Sequence, residues 1–449
     1  MSIARNGIRI FATNWAAFPL QLATGIVVIR VLGAEGKGLL VLLTSVAGIL
    51  AMLAQLGMPA SSVFLLRSGR CDARTLLAHF AIWSAAATVV IAGAGALGMR
   101  AFAALFLDDA SVSALVALFV LLSFVSQLLI AFTTNLLLAQ AAVQQYAQLT
   151  AVMHVGTLAL TLVLTLALPL GVPGALAAVV MPQLAAAAWG AARLAGSART
   201  QPTRISRAVF RDMLRIGIGH YAGTVGSQMF KRLDSFLVAY FLGTGPVGYY
   251  AVAMTAYEGM LSIPRALSAI LGGEASARGA DRGGAMVARA SRVVLCVMLL
   301  TGAAVAVASP WIVPLIYGAD FILAVAPLQI LLAAAACVGM TIAVQAYFLG
   351  IGRPGIGGML TLLAGALNLI LSLWLIPTRG IVGNALATLL AGTVSLGLHL
   401  AFFRKHSGRS MAAMLVCNAN DLAALLAGLR SAGFRRGARS LSRPLNEAD

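Results

Sequence analysis

A succession of apolar stretches, each about 20 residues or more and parted only by short polar or Pro/Gly-marked turns, limits this chain more than any other feature. With 61% hydrophobic and 10% charged residues over 449 positions, it holds far more apolar material than a soluble core uses. Lipid is the solvent such a chain is built for, and irregular backbone at membrane depth then has to be enclosed by neighbouring helices. Hydropathy places spans at 10–32, 39–66, 76–98, 112–139, 147–169 and 172–193, then at 216–242, 247–270, 292–313, 324–350, 355–376 and 381–403. The expected class is an all-α polytopic membrane protein of about 12 transmembrane helices. Arg5 and Arg9 precede the first stretch as they would in a secretory leader. The apolar run continues to Val31 without a small-x-small cleavage site, however, and reads as the first span.

The formal charge of +18 does not point to nucleic acid, because the basic residues sit in loops and tails between the spans. The excess of Lys and Arg collects in the N-terminal segment, the turn Arg67 to Arg74, the stretch Arg193 to Arg215, the loop Arg265 to Arg292, Arg353 and the tail from Arg404. Loops on the opposite side carry no net charge. Retained cytoplasmic segments carry the Lys and Arg excess, so both termini are expected on the cytoplasmic side. Cys71, Cys296, Cys337 and Cys417 lie far apart without ligand spacing and read as small apolar fillers. No Gly-rich phosphate loop and no metal-spaced cluster of His, Cys, Asp and Glu is found, so neither enzyme, cofactor nor metal is expected.

An internal repeat runs through the chain at a constant offset of 210 residues, without a gap across six spans. Arg5-Asn-Gly7-Ile8 falls on Arg215-Ile-Gly217-Ile218, Leu32-Gly33 with Gly38 on Leu242-Gly243 with Gly248, and Ala175-Leu176-Ala177 on Ala385-Leu386-Ala387. Because an even number of spans separates the copies, they share one orientation, and two six-helix bundles related by an axis along the membrane normal are expected. The division is 1–195 for the first bundle, 196–212 for a basic cytoplasmic linker, 213–404 for the second bundle and 405–449 for a basic cytoplasmic tail. Within the tail, 411–429 is apolar enough for a surface-lying helix, while Asn418, Asn420 and Asp421 argue against a thirteenth span.

Polar residues at membrane depth are the informative ones, since a charge at the centre of a span costs roughly 2.5 to 3.5 kcal/mol on insertion scales. On the seventh span His220, Thr224, Ser227, Lys231 and Asp234 share a face and form a plausible cavity lining. The alternative is that Lys231 and Asp234 neutralise each other along the helix, whereas Arg232 points about 100 degrees away and has no partner on its own face. Glu258 and Arg265 on the eighth span either pair or separately face water, and Tyr257 beside them is a gating, sugar-contacting or packed aromatic. On the first span Asn14, Phe18, Gln21 and Gly25 make a matching stripe, with Gln21 repeat-equivalent to Lys231. That stripe either lines a cavity or ties helices together. Gln127, Thr134, Asn135, Thr341 and Gln345 are weaker candidates, and His154 with Thr157, Thr161 and Thr165 reads as packing.

The sequence resembles the polysaccharide-exporting branch of the multidrug/oligosaccharidyl-lipid/polysaccharide exporter superfamily, which includes the Wzx-type O-antigen flippases. The resemblance runs to about Lys405 and rests on Ile29-Arg-Val-Leu-Gly33-Ala-Glu-Gly-Lys-Gly38, Leu56-Gly57-Met-Pro59, Asp234 followed by Leu242-Gly243 and Val247-Gly248-Tyr249-Tyr250, Tyr317-Gly318 to Pro327-Leu328, and Gly350-Ile-Gly352-Arg353-Pro354. It implies a flippase of the bacterial inner membrane that moves an undecaprenyl-pyrophosphate-linked oligosaccharide by alternating access. Membrane lipids and a polysaccharide polymerase or glycosyltransferases are the implied partners. It also implies that cations at depth meet the anionic headgroup, here Lys231 and Arg232, with Arg30 and Arg265 as lesser candidates. Asn14 and Gln21 join them as substrate contacts, and Asp234, Glu258 and Tyr257 are the coupling or gating candidates. The rival readings are a multidrug antiporter, which would bind organic cations with acids, and a non-transporting scaffold of a polysaccharide assembly complex.

Overall fold

The computed structural model describes residues 2–106, 114–197, 205–408 and 412–415, without the side chains of 2–8, 10–11, 95–106, 114–115, 197, 219–231, 269–270, 272–282, 354 and 412–413. Linker residues 198–204 and, from 416 onward, the tail with most of the 411–429 segment lie outside the described residues. Those described are helical, with no strand among them: α1 Ser2–Gln55, α2 Met58–Arg67, α3 Ala73–Phe106, α4 Ala114–Ala139, α5 Val143–Thr161, α6 Gly171–Ser197, α7 Arg207–Leu242, α8 Thr244–Tyr317, α9 Val325–Gly350, α10 Pro354–Ser407 and the single turn α11 Ala412–Leu415. Among the described residues, eight stretches are long and apolar enough to cross a membrane. Two of these, Ala12–Gln55 and Gly355–Ser407, have 44 and 53 residues, about twice what one crossing takes. Each is broken by a glycine with positive φ, Gly33 in α1 and Gly380 in α10. The expected spans 216–242 and 247–270 fall on α7 and the start of α8.

Helix ends follow local chemistry. Gly33 (φ 68, ψ −169) and Gly243 (φ 85, ψ −175) adopt the same conformation 210 positions apart, a left-handed φ that a side chain rarely tolerates. The second expected span is not one helix. Leu56 and Gly57 both have positive φ, and α2 restarts with a Pro in its first turn, where the missing N–H costs nothing. In α8 the basic segment expected as a loop is helical instead, consistent with its Ala, Arg and Glu content. Straight, a helix of 74 residues would be about 110 Å long, yet residues 244–259 and 306–317 belong to one compact unit, so the chain turns back between them.

Two compact units are formed. The first gathers 1–259, 306–331 and 361–391. Its main core joins α1, α2, α3, α4 and α6 through Leu43, Met58, Phe80, Leu128, Phe132 and Leu176, with Phe80 and Phe132 stacked at 3.8 Å between ring centroids. A smaller cluster of Leu42, Val238, Ala239, Val247 and Ile376 ties α1 to α7, α8 and α10. The second unit, 260–305, 332–360 and 392–449, packs Met340, Val344, Tyr347, Phe348, Leu400 and Phe403 around one another.

Within the first unit, close approaches occur where glycine removes the side chain. A Cβ on Gly38 would overlap the Thr244 carbonyl, and one on Gly248 would overlap the Ala34 carbonyl. These contacts are reciprocal, since Gly38 and Gly248, like Ala34 and Thr244, stand 210 residues apart. Gly57 and Gly217 likewise bring α2 against α7. The start of α7 is anchored by His79: its Nδ1–H donates to Thr75 O at 2.7 Å, and its Nε2 accepts from the Ser206 N–H at 3.0 Å. Ser206 in turn caps α7, its hydroxyl accepting from the Ala208 N–H.

Candidate functional site

Helix α7 carries Lys231, Arg232 and Asp234, and its neighbours decide what each can do. Arg232 is half-buried and lies over Gly48 of α1, where an added Cβ would collide with its guanidinium. Among the described residues no hydrogen bond or ion pair reaches that guanidinium. The side chain of Lys231, with those of His220, Thr224 and Ser227, lies outside the described residues. Asp234 turns the other way. It is 6% exposed and accepts from the Asn368 side-chain N–H of α10 at 3.0 Å.

Beyond Asn368, further buried polar groups lie in the same unit as Asp234. Asn368 Oδ1 is buried with no partner, Tyr250 OH is buried in the same unit, and Ser372 donates to Asn384 Oδ1 at 2.8 Å while Asn384 Nδ2 stays unpaired. A buried carboxylate beside an orphaned amide oxygen presents acceptors without enough donors. A proton or a small oxygen-seeking cation satisfies such a pair. Asn368, Ser372 and Asn384 were not singled out in the sequence. They are polar residues inside the eleventh and twelfth spans, so the depth criterion that found Asp234 extends to them, but they are uncharged and more than 130 residues away.

The other candidates are distributed as follows. Arg30 donates from Nε to Ile316 O at 2.7 Å and also to Leu315 O, so its charge is spent on the last carbonyls of α8, the end of a helix that favours a cation. Tyr257 is buried, Glu258 is half-buried, and the adjacent Gly259 receives the Phe18 ring, 2.6 Å from where a Cβ would stand. Arg265 is exposed and belongs to the second unit. On α1, Asn14 Oδ1 accepts from Tyr146 OH at 2.9 Å, and the Gln21 amide donates to His154 Nε2 at 3.3 Å, so both stripe residues reach α5. Gln127 reaches the Thr44 carbonyl at 3.3 Å, whereas Thr134, Asn135, Thr157, Thr165 and Thr341 bond carbonyls of their own helices. Gln345 lies 3.3 Å from His399 in the second unit. No cluster of three or more His, Cys, Asp and Glu able to hold a metal occurs among the described residues.

The polysaccharide biosynthesis protein family matches residues 3–271, more than half the chain. No curated protein matches it. Among solved structures, the fold is similar to that of the lipid II flippase MurJ in an inward closed conformation, with TM-score 0.74 and 15% identity over 96% of this chain and 99% of that one. It is also similar to an inward-facing multidrug resistance MATE transporter of the MOP superfamily, with TM-score 0.70 and 16% identity over 87% and 94% of the two chains. A third is a MOP superfamily transporter from Pyrococcus furiosus, described by the reversed polarity of its binding pocket, with TM-score 0.62 and 16% identity over 92% and 96%.

Proposed function

Because the chain belongs to the polysaccharide biosynthesis protein family, we propose that it is a flippase moving undecaprenyl-pyrophosphate-linked oligosaccharide repeat units across the bacterial inner membrane, for O-antigen or exopolysaccharide synthesis. The observation that carries this reading is Arg232, a half-buried cation in the expected seventh span, held against Gly48 and without a partner among the described residues. A pyrophosphate entering a cavity of low dielectric needs fixed positive charge there, and Arg presents several donors in a planar fork that suits phosphate oxygens. Lys231, on the same helix, is its proposed companion. Arg265 is a lesser one, and Arg30, committed to the end of α8, serves to brace it.

Transport proceeds by alternating access of the two bundles, 1–195 and 213–404, joined by the linker 196–212 and followed by the tail 405–449. The matching glycine conformations at positions 33 and 243, and the reciprocal contacts of Gly38 and Gly248, support a parallel repeat between them. Asp234 is the proposed seat of the coupling ion, with Glu258 and Tyr257 as gating residues beside the Phe18 contact. An organic-cation antiporter, by contrast, needs a carboxylate turned to its substrate, whereas Asp234 is buried and engaged with Asn368. Both termini lie in the cytoplasm in this reading, where a polymerase or glycosyltransferases would meet the tail.

The test is surface-glycan production in a deletion strain complemented with the wild type, Lys231→Ala or Arg232→Ala, at equal levels of protein in the membrane. Loss of glycan with accumulation of lipid-linked repeat units on the cytoplasmic side is expected for Arg232→Ala. Full glycan production by both variants would remove the headgroup role from α7.

A further inference from the structure

Two hydrogen-bonded pairs join α1 to α5 one above the other. Tyr146 OH donates to Asn14 Oδ1, and two helical turns on the Gln21 amide donates to His154 Nε2. The rungs are 7 residues apart on α1 and 8 on α5, and both helices advance in the same direction from rung to rung, as parallel neighbours do. Asn14 and Gln21 are exposed, Tyr146 and His154 half-buried, and neither rung is enclosed by the described residues. Exposed amides and an imidazole inside apolar spans cannot be left to hydrocarbon, which offers them no partners, so this flank faces a water-filled space. Gly25, next along the same face, leaves open room around it, and Trp15 beside Asn14 is 42% exposed.

The chemistry of the strip is specific. It carries no fixed charge, because a His154 Nε2 that accepts from Gln21 belongs to a neutral ring. It therefore suits neither a pyrophosphate nor an organic cation. Amide, phenol and imidazole groups that both donate and accept match the hydroxyls of sugars, and flat aromatic faces such as those of Tyr146 and Trp15 match the apolar faces of sugar rings. We propose that the ladder Asn14–Tyr146 and Gln21–His154 is a glycan subsite, which reads the sugar hydroxyls of the transported lipid separately from the cation Arg232 that meets its headgroup. This rests on the flippase reading above and divides the labour within it: α1 and α5 recognise sugar, and α7 recognises phosphate.

The experiment compares binding of two probes to the purified full-length protein in lipid nanodiscs: lipid-linked repeat units extracted from a strain lacking this protein, and undecaprenyl pyrophosphate without glycan. Tyr146→Phe, which removes one hydroxyl, and His154→Ala are each expected to weaken the glycosylated probe by up to about tenfold, the loss of one ligand hydrogen bond, and to leave bare undecaprenyl pyrophosphate unchanged. Arg232→Ala is expected to weaken both probes. Equal weakening of both probes by the ladder variants, no weakening of either, or a wild type to which the glycan adds no affinity would each overturn the subsite. A wild type that binds neither probe removes the flippase reading itself, and the subsite with it.

Discussion

Arg232 and Gly48 form a unit that charge alone does not reveal. The guanidinium occupies the place a side chain on residue 48 would take, so Gly48→Val is expected to displace it and to reproduce the phenotype of Arg232→Ala, about a tenfold or greater loss of surface glycan at equal membrane level. If Gly48 acts through Arg232, the double variant Gly48→Val/Arg232→Ala is no worse than either single one. Additive losses would show that Gly48 serves packing of its own. Asp234 gives a second prediction at this scale. Asn368→Ala leaves a buried carboxylate without its donor and is expected to cost about 1–3 kcal/mol, read as a lower thermal midpoint in detergent. Asp234→Asn keeps a side chain that bonds Asn368, so the midpoint should hold while transport in vesicles loses its dependence on the driving ion gradient. A gradient dependence that survives Asp234→Asn would move coupling to another residue. Depth plus charge was enough to single out Arg232 and Asp234 from the sequence. Their partners Gly48 and Asn368 were not legible, because a glycine and a distant amide acquire meaning only when helices far apart in sequence are packed together.

Among the helices, hydropathy and Leu-Gly punctuation locate most of the turns, and Gly33 and Gly243 break the backbone where expected. Two elements escaped that reading. The break at Leu56–Gly57 lies inside the expected span 39–66, and hydropathy does not separate the two pieces, although Gly57 and Pro59 stand at the break. Charge marks the basic segment after Arg265 as a loop, although its Ala, Arg and Glu are good helix formers and the segment is helical. The crossed contact of Gly38 with Thr244 and of Gly248 with Ala34 is the element-level feature with the clearest consequence. Each glycine lets one helix approach a backbone carbonyl of the turn that precedes the other glycine, and a methyl group on either would collide with it. Gly38→Ala/Gly248→Ala is therefore expected to keep these ends apart. Transport in vesicles should fall about tenfold or more, because a state that needs the contact is lost from the cycle, and a cysteine introduced at Thr244 should label faster with a membrane-impermeant maleimide. Unchanged labelling would mean that the helices adjust by sliding and that the contact is not a gate.

At the scale of the whole molecule, the basic excess on alternate loops was legible from the first count, and it predicts an orientation that helix packing alone does not give. Cys71 offers a way to read it, since it lies in the turn Arg67 to Arg74, where the two flanking spans are expected to emerge in the cytoplasm. Partial burial, with Asp72 and Asp212 nearby, pushes the Cys71 thiol up from its ordinary value. A raised value means less thiolate at a given pH, and thiolate is the form that reacts with maleimides. In a variant with Cys71 as its sole cysteine, an impermeant maleimide should react in inverted vesicles and not in intact spheroplasts. The reaction should be slower near neutral pH than that of an unperturbed thiol and should accelerate as pH rises. Asp212→Asn removes one of the two repelling carboxylates and is expected to raise the neutral-pH rate about twofold, whereas labelling from the outer face would reverse the orientation of every span. That outcome would also carry the ladder of Asn14 and Gln21 to the opposite leaflet and remove the cytoplasmic entry the glycan needs, so the orientation and the direction of transport stand or fall together.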